Sequence, residues 1–168
     1  MKNLYLIGMM GCGKSTCARL LGERLGMTVL DTDEEIRRGA CLTVSEIFSR
    51  YGEAYFRQLE TETLRTISER EDLIVACGGG LPLREENRRL LRESGTVIFL
   101  DVPFRICYQR IANTDRPIVR RSTREELYQL YSYRRGIYRA HSTRRIRAIK
   151  SPTATVEEIL RLLQHEAC

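Results

Sequence analysis

The 168-residue chain carries 28 Lys and Arg against 22 Asp and Glu, a net charge of +6, with 42% hydrophobic residues. That length suits one domain with a substantial core, and the composition excludes a disordered or fibrous chain. No apolar run approaches a membrane span or a signal-peptide core, so a cytoplasmic location without membrane contact is expected.

The first apolar run, Leu4–Ile7, reads as a buried parallel strand. It enters Gly8-Met9-Met10-Gly11-Cys12-Gly13-Lys14-Ser15, which fits G-x-x-x-x-G-K-[ST], a loop whose backbone N–H groups wrap phosphates. Cys17, Leu21 and Leu25 then recur every fourth residue, so a helix follows and Gly26 closes it. Its N-terminus adds partial positive charge at the loop. Lys14 has the reach for β- and γ-phosphates, and the Ser15 hydroxyl suits Mg²⁺. Nucleotide phosphate binding is the expectation.

Strand two, Thr28–Leu30, leads into Asp31-Thr32-Asp33. If that segment is extended, the two carboxylates point the same way, towards the phosphate loop. Magnesium near Asp31 and a hydroxyl donor near Asp33 would justify placing two like charges together. The plainer reading makes Asp33 an N-cap before Glu34-Glu35-Ile36. Thr43-x-x-Glu46 is a capping box ahead of Ile47, Phe48 and Tyr51. A second helix carries Phe56, Leu59, Thr63, Leu64 and Ile67 on one stripe, with Arg57 and Glu60 either a surface i, i+3 pair or a fork for a carboxylate.

Strand three, Leu73–Cys77, runs into Gly78-Gly79-Gly80, either a plain turn or a place where backbone N–H groups meet a ligand. Strand four is Thr96–Leu100, and Pro103 opens a helix bearing Cys107 and Ile111. The polar, arginine-rich stretch Ala112–Ser122, with Arg116-Pro117 in it, fits a mobile lid over about residues 112–123. Thr123-x-x-Glu126 caps a helix with Leu127, Leu130 and Tyr131, and Arg134 offers a second fork four residues before Tyr138. A weaker strand spans Ile146–Ile149, and Thr155-x-x-Glu158 reads as the cap of a last helix with Val156, Ile159, Leu160 and Leu163 inward. Strands alternating with helices predict an α/β fold, a parallel sheet with helices on both faces and ligands at the strands' carboxyl ends.

Six scattered cysteines, no C-x-x-C and two histidines, His141 and His165, argue against zinc and against a disulfide framework. Cys12 inside the loop reads first as a small residue that fits, and second as an oxidation site. Much of the positive excess falls between Arg105 and Lys150, which suits anionic small molecules. A nucleic-acid partner is not expected, because no base-stacking or DNA-reading motif accompanies those arginines.

Together these stretches resemble the shikimate kinase family over nearly the full chain. The motifs are Gly8 to Thr16, Leu30-Asp31-Thr32-Asp33, Phe56-Arg57-x-x-Glu60, Gly78-Gly79-Gly80, Arg116-Pro117, and Arg134 with Tyr138. The resemblance implies a three-layer P-loop kinase with a five-stranded parallel sheet and a lid; a monomer is expected because no exposed apolar stripe is left unexplained. The resemblance also implies transfer of the ATP γ-phosphate to the 3-hydroxyl of shikimate, on the route to chorismate and aromatic amino acids. By position, Gly11, Cys12, Gly13, Lys14, Ser15 and Thr16 would hold ATP, with Ser15 and Asp31 on Mg²⁺. Asp33 would be base or orienter, and Lys14 and Arg116 would meet the transferring phosphate. Arg57, Arg134 and Gly78, Gly79 and Gly80 would hold shikimate, and Lys150 would contact adenine. The chain departs from the family at Arg135-Gly136-Ile137, after Tyr138, and in the basic Ser142–Lys150 stretch. The rival expectations are another small-molecule kinase of this fold, such as a gluconate or nucleotide kinase, and a non-catalytic ATP-binding relative; no Asn-Lys-x-Asp guanine reader is present.

Overall fold

The computed structural model describes residues 2–149 and 151–164; Lys150, His165 and Cys168 lie outside the described residues. Five short strands form the centre: β1 (Asn3–Ile7), β2 (Thr28–Asp31), β3 (Leu73–Ala76), β4 (Gly95–Leu100) and β5 (Arg144–Ile146). They pair in the order β2-β3-β1-β4-β5, every pair parallel. β1, β3 and most of β4 are buried on both sides, which is why their sequences are apolar without alternation. The helices are α1 (Lys14–Leu25), α2 (Thr32–Ala40), α3 (Val44–Ser68), α4 (Glu85–Ser94), α5 (Phe104–Ile111), α6 (Pro117–Arg121), α7 (Arg124–His141) and α8 (Pro152–Gln164), with a 3₁₀ turn at Leu81–Leu83. α1 packs on α8 and on β1 to β3; α4 and α7 pack on β4, and α3 on α4. This is the expected α/β architecture, a five-stranded parallel sheet between helical layers.

Two helical signals hold in detail. The Thr43–Glu46 and Thr123–Glu126 capping boxes both form, each satisfying backbone donors in both directions. α3 breaks at Gly52 (φ 84°, ψ 174°), so the two expected helices are two arms of one kinked run. A straight helix would set Phe48 and Phe56 about 12 Å apart along its axis. The kink instead brings their rings to 4.8 Å between centroids. With Ile36 and Ile47 they form a small second core beside the main one. Tyr51, just before the kink, is exposed and not on the buried stripe, and on the second arm Thr61 is buried where Thr63 was expected.

Other expectations are corrected. The last strand ends at Ile146 instead of beginning there, since Ile146 pairs with Leu100 while Ile149 is half exposed. The last helix starts at Pro152, not after Thr155: proline's fixed φ suits a first helical position, and Ser151 Oγ accepts from Ala154 N. Thr155 is buried inside that helix, its hydroxyl bonded to Ser151 O. The segment expected as a lid is not wholly irregular, because α6 forms within it directly after Arg116. Among the described residues no helix is long and apolar enough to cross a membrane. Cys12, Cys17, Cys77 and Cys107 are buried free thiols and Cys41 is an exposed one.

Candidate active site

Every strand that feeds the site delivers its residues at the carboxyl end, where the order reverses around β1. The loop after β1 turns into α1. There the Lys14 ammonium donates to Gly8 O (2.8 Å) and Met9 O (3.0 Å), bracing the loop across its own span. Ser15 Oγ donates to Asp31 Oδ2 at 2.7 Å. Gly11, Gly13, Lys14, Ser15 and Thr16 line a cavity of about 330 Å³. Cys12 does not: its side chain is buried beneath the loop, with Sγ 3.7 Å from Lys14 Nζ.

Asp31 and Asp33 both face that cavity, but not through extended backbone. Asp31 ends β2 and is itself the N-cap of α2, its Oδ1 accepting from Asp33 N (3.0 Å) and Glu34 N (3.4 Å). Asp33 therefore lies in the first helical turn, and the cap predicted at Asp33 sits two residues earlier. Thr32, fully buried between them, accepts a bond from Gly78 N at 2.8 Å and ties this turn to the next strand's loop. Burial pushes the Asp33 carboxyl above the usual carboxylate range and Asp31 adds to the rise; Lys14, Arg116 and Arg57 oppose it. Its Oδ1 is enclosed with no hydrogen-bond partner among the described residues.

A second cavity, about 450 Å³, adjoins the first and is lined by Arg57, Glu60, Arg134 and Gly80, with an apolar wall that includes Phe48 and Phe56. The small second core thus forms one side of this cavity. Arg57 and Glu60 do pair, at 2.7 Å, but the surface reading fails: Glu60 is 1% exposed and Arg57 9%. Arg57 also reaches Glu53 at 3.1 Å. Burial pushes Glu60 up to about 7 against the pull of Arg57, whose own guanidinium is held protonated by the two glutamates despite its burial. Arg134 is 2% exposed, and its Nε has no hydrogen-bond partner among the described residues. A buried guanidinium without a full set of acceptors is costly, and an incoming anion relieves that cost.

The triple glycine is explained by its neighbours. A Cβ at Gly78 would stand 2.6 Å from Asp33 Oδ1, and at Gly80 2.0 Å from Arg57 Nη1; at Gly79 it would lie 3.4 Å from Arg134 Nη1. Gly78 and Gly80 make room for Asp33 and Arg57, whereas a Cβ at Gly79 would only touch Arg134. The expected approach of N–H groups to a ligand does not hold at Gly78, whose N–H is spent on Thr32.

Asp33, Met10, Gly79 and Arg116 line both cavities and so mark their junction. Arg116 stands at the N-cap of α6. The 112–123 segment meets the rim of the second cavity through Ser45 Oγ, which donates to Asp115 O at 3.0 Å. The sequence reading missed Arg110, whose Nη1 donates to Gly11 O (2.9 Å), and Pro152; both line the first cavity. Nothing local distinguishes Arg110 from the other arginines of the C-terminal half. Lys150, expected near adenine, lies outside the described residues.

Known proteins match the chain along nearly its whole length. The family model described as shikimate kinase matches residues 10–164. The shikimate kinase of Persephonella marina is 40% identical over 161 residues, covering 95% of this chain and 98% of its own. That of Aquifex aeolicus is 38% identical over 165 residues, covering 98% and 97%. The structure of shikimate kinase from Acinetobacter baumannii in complex with shikimate superposes with a TM-score of 0.94 at 34% identity, over 99% of this chain and 94% of that one. A phosphate loop alone would fit many enzymes, but agreement from end to end does not, and the chain belongs to the shikimate kinase family.

Proposed function

We propose that the protein transfers the γ-phosphate of ATP to the 3-hydroxyl of shikimate, giving shikimate 3-phosphate and ADP. The observation that carries this reading is the junction: Asp33 and Arg116 stand where a phosphate-loop cavity meets one containing two buried arginines. ATP occupies the first cavity, its phosphates on the backbone of Gly11 to Thr16 and on Lys14. Shikimate occupies the second, its carboxylate on Arg57 and Arg134 and its ring against Gly79 and Gly80. Bidentate arginine contacts orient a carboxylate as well as bind it.

Asp33 then orients the 3-hydroxyl and takes its proton as the oxygen attacks the γ-phosphorus. The bond to the β–γ bridging oxygen breaks and the electron pair leaves with ADP. Burial that raises the Asp33 carboxyl also makes it a better proton acceptor. Arg116 and Lys14 stabilise charge on the transferring group. The hard oxygens of Ser15 and Asp31, already paired at 2.7 Å, fit a magnesium ion, which Ser15 would hold with Asp31 supporting it. When bound, the ion neutralises phosphate oxygens. Lys150 is assigned to the adenine side by position in the sequence alone.

ADP release measured with and without shikimate, and in parallel with gluconate and nucleoside monophosphates, tests this reading. Shikimate alone should stimulate release. Equal or greater stimulation by another acceptor would replace shikimate, and none by any acceptor would leave an ATP-binding relative without transfer.

A further inference from the structure

The proposed mechanism gives Tyr138 no task, yet its surroundings are arranged about its hydroxyl. The ring is 1% exposed and packs on Phe99, 5.4 Å between centroids. Its Oη donates to Gly79 O. The Arg134 guanidinium, one helical turn earlier on α7, acts on the same hydroxyl through its charge. Both groups converge on one spot: a Cβ at Gly79 would lie 3.4 Å from Arg134 Nη1 and 3.6 Å from Tyr138 Oη.

Arg134 is buried, but its polar atoms are not all satisfied. Its Nε has no hydrogen-bond partner among the described residues, and Glu60, which feels its charge, is bonded to Arg57. A long side chain that must be ordered when the ligand arrives loses binding free energy, whereas one held beforehand does not. We propose that Tyr138 is a positioning residue: its hydroxyl links the Arg134 guanidinium to the Gly79 carbonyl and holds that fork ready for the substrate carboxylate. Burial raises the phenol well above its ordinary value, so it keeps the proton it donates to Gly79. The inference rests on the shikimate reading of the second cavity.

Tyr138→Phe removes one oxygen and keeps the ring's volume and its contact with Phe99. The KM for shikimate should rise about tenfold, as loss of a hydrogen bond to a charged group does, while kcat and the KM for ATP stay within about twofold. In an Arg134→Ala background the same change should add less than about twofold. A shikimate KM unmoved by Tyr138→Phe, a full loss in the Arg134→Ala background, or an equal rise for both substrates overturns the proposal. The parent protein supplies a test that needs no variant. Nitrogen-15 NMR of the ligand-free protein should find the Arg134 guanidinium rotating slowly, and free rotation overturns the proposal. If the parent shows no shikimate-dependent ADP release, the functional reading fails; if it is active and Tyr138→Phe is unaffected, only the role of Tyr138 does.

Discussion

At the residue scale, the site depends on charged side chains that are buried or half-buried in the walls of its cavities. Asp33→Asn keeps the shape and the hydrogen-bonding reach of the side chain and removes its ability to accept a proton. Turnover with shikimate should fall by about 10²–10⁴-fold, with ATP affinity by calorimetry unchanged. Turnover equal to the parent would remove Asp33 from the chemistry. Arg57→Ala should weaken shikimate binding by about 2–5 kcal/mol. The buried Glu60 it leaves behind already sits near 7 and takes up a proton in place of carrying an unpaired charge. Proton uptake on making the variant, visible as a pH-dependent difference in its titration curve, checks that account. Unchanged shikimate affinity would return Arg57 to a purely structural pair.

At the element scale, the kink in α3 decides the shape of the second cavity. Gly52 adopts φ 84° and ψ 174°, a region closed to other residues, and a Cβ there would meet nothing within 4 Å. Gly52→Ala therefore tests the backbone alone, without a packing clash. It should cost about 1–3 kcal/mol in unfolding free energy and draw Phe48 away from Phe56, weakening shikimate binding more than ATP binding. Equal loss for both ligands would disconnect the kink from the cavity. The elements also show how far periodicity reaches. Both capping boxes were readable because their partners lie three residues apart, and the phosphate loop because its residues fall in one contiguous stretch, Gly8–Ser15. The Asp31 cap, the register of β5 and the start of α8 were misread, since pairing with Leu100 and a proline at the first helical position outweighed local apolar pattern.

At the scale of the whole molecule, two cores divide the work: the large one under the sheet carries the phosphate loop, and the small one built on α2 and α3 flanks the second cavity. Glu60, buried on α3, gives stability a pH dependence. Its value in the folded protein, about 7, lies above the ordinary 4.5, so the folded state binds this proton more tightly than the unfolded chain. The resulting stabilisation is complete below about pH 4.5 and is lost as the pH rises through 7. Glu60→Gln does not titrate. Urea unfolding of both proteins across this range should show the parent losing on the order of 1–3 kcal/mol relative to the variant. A pH-independent difference would assign Glu60 an ordinary carboxylate value.

The sequence by itself determined the alternation of strands and helices, the phosphate loop, and the identity of nearly every charged group in the two cavities. These are signals written in short spacings, where backbone geometry and side-chain type suffice. The tertiary structure alone decided that Arg57 and Glu60 are a buried pair, that Gly78 and Gly80 make room for Asp33 and Arg57, and that Arg110 lines the phosphate-loop cavity. Burial and approach across the sheet depend on residues tens of positions apart, and no local pattern carries them.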